Sequence, residues 1–414
     1  MKILFPYLAR WRSANRSRYH QLLTHLCDFG HQVFMLTAPP MALNDISAND
    51  VAGSNDQLPP GLTISELHAP EALRKFWRLP IPRTKLLKKG LLSISSISQI
   101  RRFIDREKID VLLLYNLPQA PLLHLANCRT HFDLADDLVA MMEVEMGAIA
   151  QAGAMTAART VQNYLLNKAA TVTVASSVLE DQINRNVLML PNGADVAELD
   201  QIRPSVWRAQ DKGATVGFVG AFEYWVNFDL LLQAADRLPH VNFLLVGGGR
   251  RWESVKQQVK KLDLINVHLT GAMPYQQAMS YVAGMDVCLL PFTKDAVSDG
   301  SCPLKLFEYA ALRKPIVSTH TREVARIGNG WISFADQPQD FAAAIENFLT
   351  DGRAAAHAGE AGRAMVQELY NWPNLTRQFE QLLMQGAAPG FEPALARRTV
   401  LETLNSDFEP QRML

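Results

Sequence analysis

Lys305 and Glu308 lie three residues apart in Ser301-Cys-Pro-Leu-Lys-Leu-Phe-Glu-Tyr309, and their types suit the two ends of a nucleotide. Pro303 favours the first helical position, so a helix is expected to begin here and to end before Pro315. A lysine in the first turn opposes the helix macrodipole by about a few tenths of a kcal/mol. An anion reverses that sign, because a diphosphate would accept the free amide hydrogens and pair with the ammonium. Glu308, on the same side, could accept hydrogen bonds from both vicinal hydroxyls of a ribose. On spacing alone, the commoner alternative is an exposed Lys–Glu helix pair of little energetic weight.

A second constellation is His131-Phe-Asp-Leu-Ala-Asp-Asp-Leu138. A strand ending in Asp136 and Asp137 presents adjacent carboxylates, one of which can be raised in pKa by its neighbour and take a proton from a hydroxyl. The alternative is an Asp N-cap for the next helix. His131 has no chemical partner and reads as structural. No DxD motif or His partner accompanies the Asp pair, so no essential protein-bound metal is expected. Gly220 and Gly247–Gly249 follow apolar runs, where bare backbone admits a phosphate or base, although such glycines also make ordinary turns. Arg10, Arg12, Arg16 and Arg18 cluster after the first apolar run and suit either a phosphate of a second substrate or a solvated loop.

These residues must be positioned by βα units, since short apolar runs bounded by turn residues alternate with helical periods. Strands are expected at Lys2–Leu8, Gln32–Leu36, Thr63–Leu67, Val111–Tyr115, His131–Leu134, Thr171–Val174 and Val187–Leu190. A second set follows at Thr215–Val219, Asn242–Val246, Val267–Thr270, Val287–Leu290, Ile316–Ser318 and Trp331–Phe334. The turn formers Pro191, Asn192 and Gly193 mark the joint. The expected organisation is a Rossmann-like domain over 1–195, a second over 196–370, and a helix and tail over 371–414, with no fold assigned after Ala388. Residues 44–60 are expected to form a loop.

With 414 residues and 48% hydrophobic composition, the chain can bury two sizeable cores. Forty-one basic residues balance forty-one acidic ones, so no overall field draws it to nucleic acid. Four scattered cysteines fit neither a disulfide framework nor structural zinc and suggest a reducing, cytoplasmic setting. No run reads as a signal peptide or a spanning helix. Arg74–Lys108, however, holds eleven Lys or Arg against two acids, mixed with Phe76, Trp77, Leu86, Leu87, Leu91 and Leu92. That mixture suits an anionic membrane surface, here the inner face of the plasma membrane; the plainer reading is an amphipathic helix with a basic exposed face.

Pro303-Leu-Lys-Leu-Phe-Glu-Tyr309 followed by Lys314-Pro-Ile-Val-Ser-Thr319 resembles the nucleotide-sugar helix of GT-B glycosyltransferases, in particular the group 1, family 4-like set that builds bacterial polysaccharides. The likeness continues through Leu190-Pro-Asn-Gly-Ala-Asp195, Val216-Gly-Phe-Val-Gly220, Leu244-Leu-Val-Gly-Gly-Gly249 and Asn371-Trp372. It implies an α/β fold of two facing Rossmann-like domains with an interdomain cleft, and C-terminal helices crossing back. It also implies a nucleoside diphosphate sugar, UDP-linked by expectation, as substrate rather than a tightly bound cofactor. Lys305, with Leu304 and Ser301 at the helix start, would meet the diphosphate, Glu308 the ribose, Gly220 and Gly249 the strand-end approach, and Met273 of Gly271-Ala-Met-Pro274 the base. Asp137 or Asp136 would be the catalytic base, and a glycan or lipid-linked saccharide the acceptor. Gly300 stands where the family has a first Glu, and Ala221-Phe-Glu-Tyr-Trp-Val-Asn-Phe228 replaces its usual Arg and Lys, which marks a divergent branch. Those departures leave open a nucleotide-sugar-binding scaffold without turnover. A dinucleotide oxidoreductase is disfavoured, because no GxGxxG follows the first strand.

Overall fold

The computed structural model describes residues 1–7, 16–38, 58–79, 85–125, 127–146, 151–205 and 213–385, which divide into two compact units. The first comprises Met1–Pro191, Asp295–Cys302 and the last described helix from Phe379; the second comprises Asn192–Lys294 and Pro303–Gln378. Arg10, Arg12, Arg83, most of the expected 44–60 loop and the tail after 388 lie outside the described residues.

Thirteen strands are described, within one or two residues of where the apolar runs put them. In the first unit these are β1 (Lys2–Tyr7), β2 (Gln32–Thr37), β3 (Leu62–Glu66), β4 (Val111–Leu114), β5 (Arg129–Leu134), β6 (Thr171–Val174) and β7 (Leu188–Met189). They form one parallel sheet of order β3-β2-β1-β4-β5-β6-β7. The second unit has β8 (Thr215–Val219), β9 (Asn242–Val246), β10 (Val267–Gly271), β11 (Val287–Leu290), β12 (Ile316–Ser318) and β13 (Ile332–Phe334), also parallel, in the order β10-β9-β8-β11-β12-β13. Strands such as Val111–Leu114 and Val287–Leu290 are apolar at every position because crossover helices cover both faces. Phe218, Phe228, Phe243, Phe341 and Ile345 form the heart of the second core. Within that unit Ala194 bridges Asn371, its N–H reaching the Tyr370 carbonyl at 3.0 Å while Trp372 N–H reaches the Ala194 carbonyl at 3.1 Å.

Two charged side chains expected at the surface are internal. Arg18 is 3% exposed: its guanidinium donates to both Asp133 oxygens, at 2.9 and 3.0 Å, and to the Pro191 carbonyl at 3.0 Å. It is therefore a structural pair and not a ligand for a substrate phosphate. Lys88 is 5% exposed and donates to the carbonyls of Trp77 and Leu79 at 3.0 and 2.9 Å. Trp77 and Leu92 also turn inward, into a small core with Leu73 and Ala69. Among the described residues of this segment, the large apolar side chains left exposed are Leu79, Leu87, Leu91 and Ile94.

Asp133 continues into a buried chain. The Thr173 hydroxyl donates to Asp133 at 2.6 Å and so accepts from His131 Nε2 at 2.9 Å, which leaves His131 Nδ1 to accept from Thr171 at 2.9 Å. His131 is thus neutral, as fits its lowered pKa of about 4, whose first cause is burial. Burial alone would raise Asp133, but Arg18 and Thr173 hold its carboxyl below the usual range. Below about 6.5 the unfolded chain takes up a proton at His131 that the folded chain refuses until about 4. Stability should therefore fall as pH drops through that interval, by up to about 3 kcal/mol. Urea unfolding across the interval should show a shallower fall for His131→Gln than for the wild type.

Candidate nucleotide-binding site

β8 pairs with β9 along all five residues, but with β11 only at Val216–Val287 and Gly217–Cys288. Beyond Gly217 the strands part. The strand order reverses between them, and the carboxyl ends of parallel strands at such a point are where open α/β sheets take ligands.

Helix Leu304–Ala311 addresses this opening. Pro303 is its N-cap, held extended at ψ 127°, and not its first helical residue as expected. Proline has no hydroxyl or carboxylate to cap with, so among the described residues no side chain caps the first amides, of which Leu304 carries one, while the Leu306 amide turns back to the Pro303 carbonyl at 3.2 Å. At the other end Arg363 donates to the Ala311 carbonyl at 2.6 Å and to Asp200 at 2.7 Å, a cation where the macrodipole favours one.

The Lys305 ammonium lies 5.2 Å from the Phe218 ring centroid and 5.7 Å from that of Phe292. Among the described residues it has no hydrogen bond and no carboxylate within salt-bridge distance. Burial lowers its pKa, against the opposing pull of Glu308 one turn on. Ring faces can hold a cation in partial compensation for lost water. Gly220, at φ +155°, makes this placement possible: a Cβ there would sit 2.6 Å from Lys305 Cε and 2.9 Å from Nζ. The glycine turn after β9 packs on the same loop, with Phe222 N–H donating to the Gly248 carbonyl at 2.9 Å. A Cβ on Gly249, at φ +151°, would meet the Phe222 carbonyl at 2.7 Å, so this glycine serves loop packing. Gly247 N–H reaches the Gly271 carbonyl at 3.0 Å, tying the half-buried Met273 loop to the same sheet end. Lys305, Glu308, Leu304, Gly220, Gly249 and Met273 thus belong to one unit. Ser301 falls in the first unit, closing the short helix Ala296–Gly300.

Sequence reasoning missed Phe218 and Phe292. Phe218 stood inside the quoted Val216–Gly220 strand, and its place beside the terminal glycine was the available signal.

In the first unit, Asp137 Oδ1 accepts from the Ala140 amide at 2.9 Å, capping helix Leu138–Met146. The residue also lines a hollow of about 400 Å³ with Glu143, Arg159, Gln162 and Asn163. Asp136 is exposed, yet its pKa is raised, with desolvation as first cause and Asp133 and Asp137 adding like charge. Because the carboxyl reaches water, its two acidic neighbours are the more durable part of that shift.

Two parallel, doubly wound units with a nucleotide-type switch point in the second define the GT-B class. Residues 16–193 match the glycosyl transferase 4-like domain and residues 213–351 the glycosyl transferases group 1, together about three quarters of the chain. The chain belongs to this group 1, family 4-like glycosyl transferase family. TuaH of Bacillus subtilis, assigned as a teichuronic acid biosynthesis glycosyltransferase, is 28% identical over 170 residues, which cover 40% of this chain and 42% of that protein. This chain spans about half the length of the curated relatives it matches. Among solved structures, sucrose-phosphate synthase from Thermosynechococcus elongatus aligns with TM-score 0.72 and 18% identity over 93% of this chain and 98% of its own. Anabaena HepE in complex with UDP-glucose aligns with TM-score 0.63 and 15% identity over 93% of this chain and 99% of its own.

Gly220→Ala would force the Lys305 ammonium off its two rings. Calorimetric titration with inorganic pyrophosphate should show affinity reduced by about ten-fold or more in a variant that still folds.

Proposed function

We propose that the chain transfers a sugar from a nucleoside diphosphate, UDP before other nucleotides, to a hydroxyl of a glycan or lipid-linked saccharide during cell-surface polysaccharide synthesis. The observation that carries this reading is the Lys305 ammonium, held on aromatic faces beside a helix N-terminus without a side-chain cap and, among the described residues, with no carboxylate in salt-bridge distance. The UDP-glucose complex of HepE and the assigned role of TuaH support the donor and acceptor classes.

In this reaction Lys305 and the free amide of Leu304 would bind the diphosphate. They would then stabilise the charge that collects on it as the glycosidic bond breaks. Glu308 would accept from the ribose hydroxyls, and Gly220 and Met273 would border phosphate and base. In the first unit Asp136 is the favoured base, because Asp137 already spends one oxygen on a helix cap. An acid raised by desolvation first, and by Asp133 and Asp137 against Arg18, is better matched to receiving a hydroxyl proton than an ordinary carboxylate.

Donor screening with and without EDTA tests the assignment. Lys305→Ala should weaken UDP binding by at least about ten-fold. Asp136→Asn should keep binding and lose most donor turnover, and EDTA should leave UDP binding unchanged. Full activity in both variants would remove the site, and nucleotide binding without turnover in the wild type would make the chain a scaffold.

A lipid-linked acceptor would require the enzyme to work at a membrane, and no described helix is long and apolar enough to cross one. Helix Lys85–Ser95 carries exposed Leu87, Leu91 and Ile94 on one face, and exposed Arg78, Arg101 and Arg102 lie on the flanking helices. We assign this basic, apolar surface to anionic lipid. Vesicles containing phosphatidylglycerol should sediment the protein at low salt, less so at high salt, and less for Leu87→Ser/Leu91→Ser.

A further inference from the structure

Backbone groups along a strand point alternately to its two neighbours. Gly220 N–H turns to β9, reaching the Val246 carbonyl at 2.9 Å, so the N–H and C=O of Val219 turn the other way, toward β11. The ladder to β11 has already stopped at Gly217. Leu290, level with Val219, faces β12 instead, its carbonyl taking Thr319 N–H at 3.1 Å, and among the described residues no ladder pairing from β11 reaches Val219. Val219 is therefore an orphan of the sheet, and a buried, unpaired backbone pair is costly.

The Tyr309 hydroxyl fills the gap. It accepts from Val219 N–H at 2.8 Å and donates to the Val219 carbonyl at 3.3 Å, and Tyr309 is fully buried. Burial, as first cause, holds the phenol well above its usual range, so it keeps the proton it donates.

Lys305 and Tyr309 are four residues apart and share a helix face. The Lys305 side chain lies over Gly220 and the Tyr309 hydroxyl hydrogen-bonds Val219, consecutive residues at the end of β8. We propose that Tyr309 is the positioning residue of the nucleotide site: its hydroxyl stands in for a strand, keeps β8 and β11 apart, and fixes the Gly220 backbone beneath the Lys305 ammonium. This rests on the donor reading above and adds to it a residue that does not touch the nucleotide.

Removing only the hydroxyl leaves Val219 without partners, and its relief is a shift of β8 that moves both Gly220 and the Phe218 ring from beneath the ammonium. The test measures UDP binding by calorimetry in the full chain, comparing wild type, Tyr309→Phe and Ile345→Val. The last is a core truncation in the same unit, used to match the loss of Tm. Tyr309→Phe should weaken UDP binding by about ten-fold, while Ile345→Val should stay within about two-fold of the wild type. Equal affinity in Tyr309→Phe and wild type, or an equal loss in both variants, overturns the positioning role alone. Failure of the wild type to bind UDP removes the donor reading and this role with it. Should Tyr309→Phe not fold, 3-fluorotyrosine placed at position 309 gives a second readout. Its fluorine resonance should move as UDP saturates the site, and a stationary signal overturns the proposal.

Discussion

A lysine ammonium taken out of water must be compensated, and in the second unit that requirement is met only in part. Phe218 and Phe292 offer ring faces, Glu308 adds attraction from one turn away, and among the described residues no carboxylate closes to salt-bridge distance. Such a cation is held in place without being neutralised, so the remaining favourable term falls to whatever anion arrives. The parting of β8 from β11, the bare backbone at Gly220 and the uncapped helix start all serve to create and keep this unfinished charge.

The first unit resolves its buried charges in the opposite way. Arg18 is matched by a bidentate carboxylate, and Asp133 passes its remaining capacity through Thr173 to a neutral His131. The Asp133 carboxyl is thus engaged on both oxygens, whereas Asp136 and Asp137 lie further along, beyond the end of β5. Asp137 is partly engaged by a backbone amide, which separates two neighbours identical in composition into a structural oxygen and a more available carboxyl.

Much of the fold was legible because parallel strands covered on both faces must be short apolar runs, and turn residues mark where they stop. Val287–Leu290 and Ile316–Ser318 could be read to the residue for this reason. The Lys305–Glu308 helix was legible through Pro303 and the spacing. Charged residues were harder. Arg18 and Lys88 look like surface side chains in sequence, and their burial depends on an aspartate 115 positions away and on two carbonyls freed at a helix end. Tyr309 was equally hidden, since its hydroxyl matters only because one inter-strand ladder ends early. Sequence periodicity finds strands but does not say how many rungs they share.

The guanidinium of Arg363 carries a wider consequence. It closes the last turn of the helix that bears Lys305, yet it comes from a segment more than fifty residues downstream, and it is itself steadied by Asp200, which follows the interdomain joint. The end of the helix that carries Lys305 is thereby tied to two distant stretches of chain. A substitution library confined to the neighbours of Lys305 would overlook both anchors, although a change at either would alter the seating of the helix that carries the ammonium.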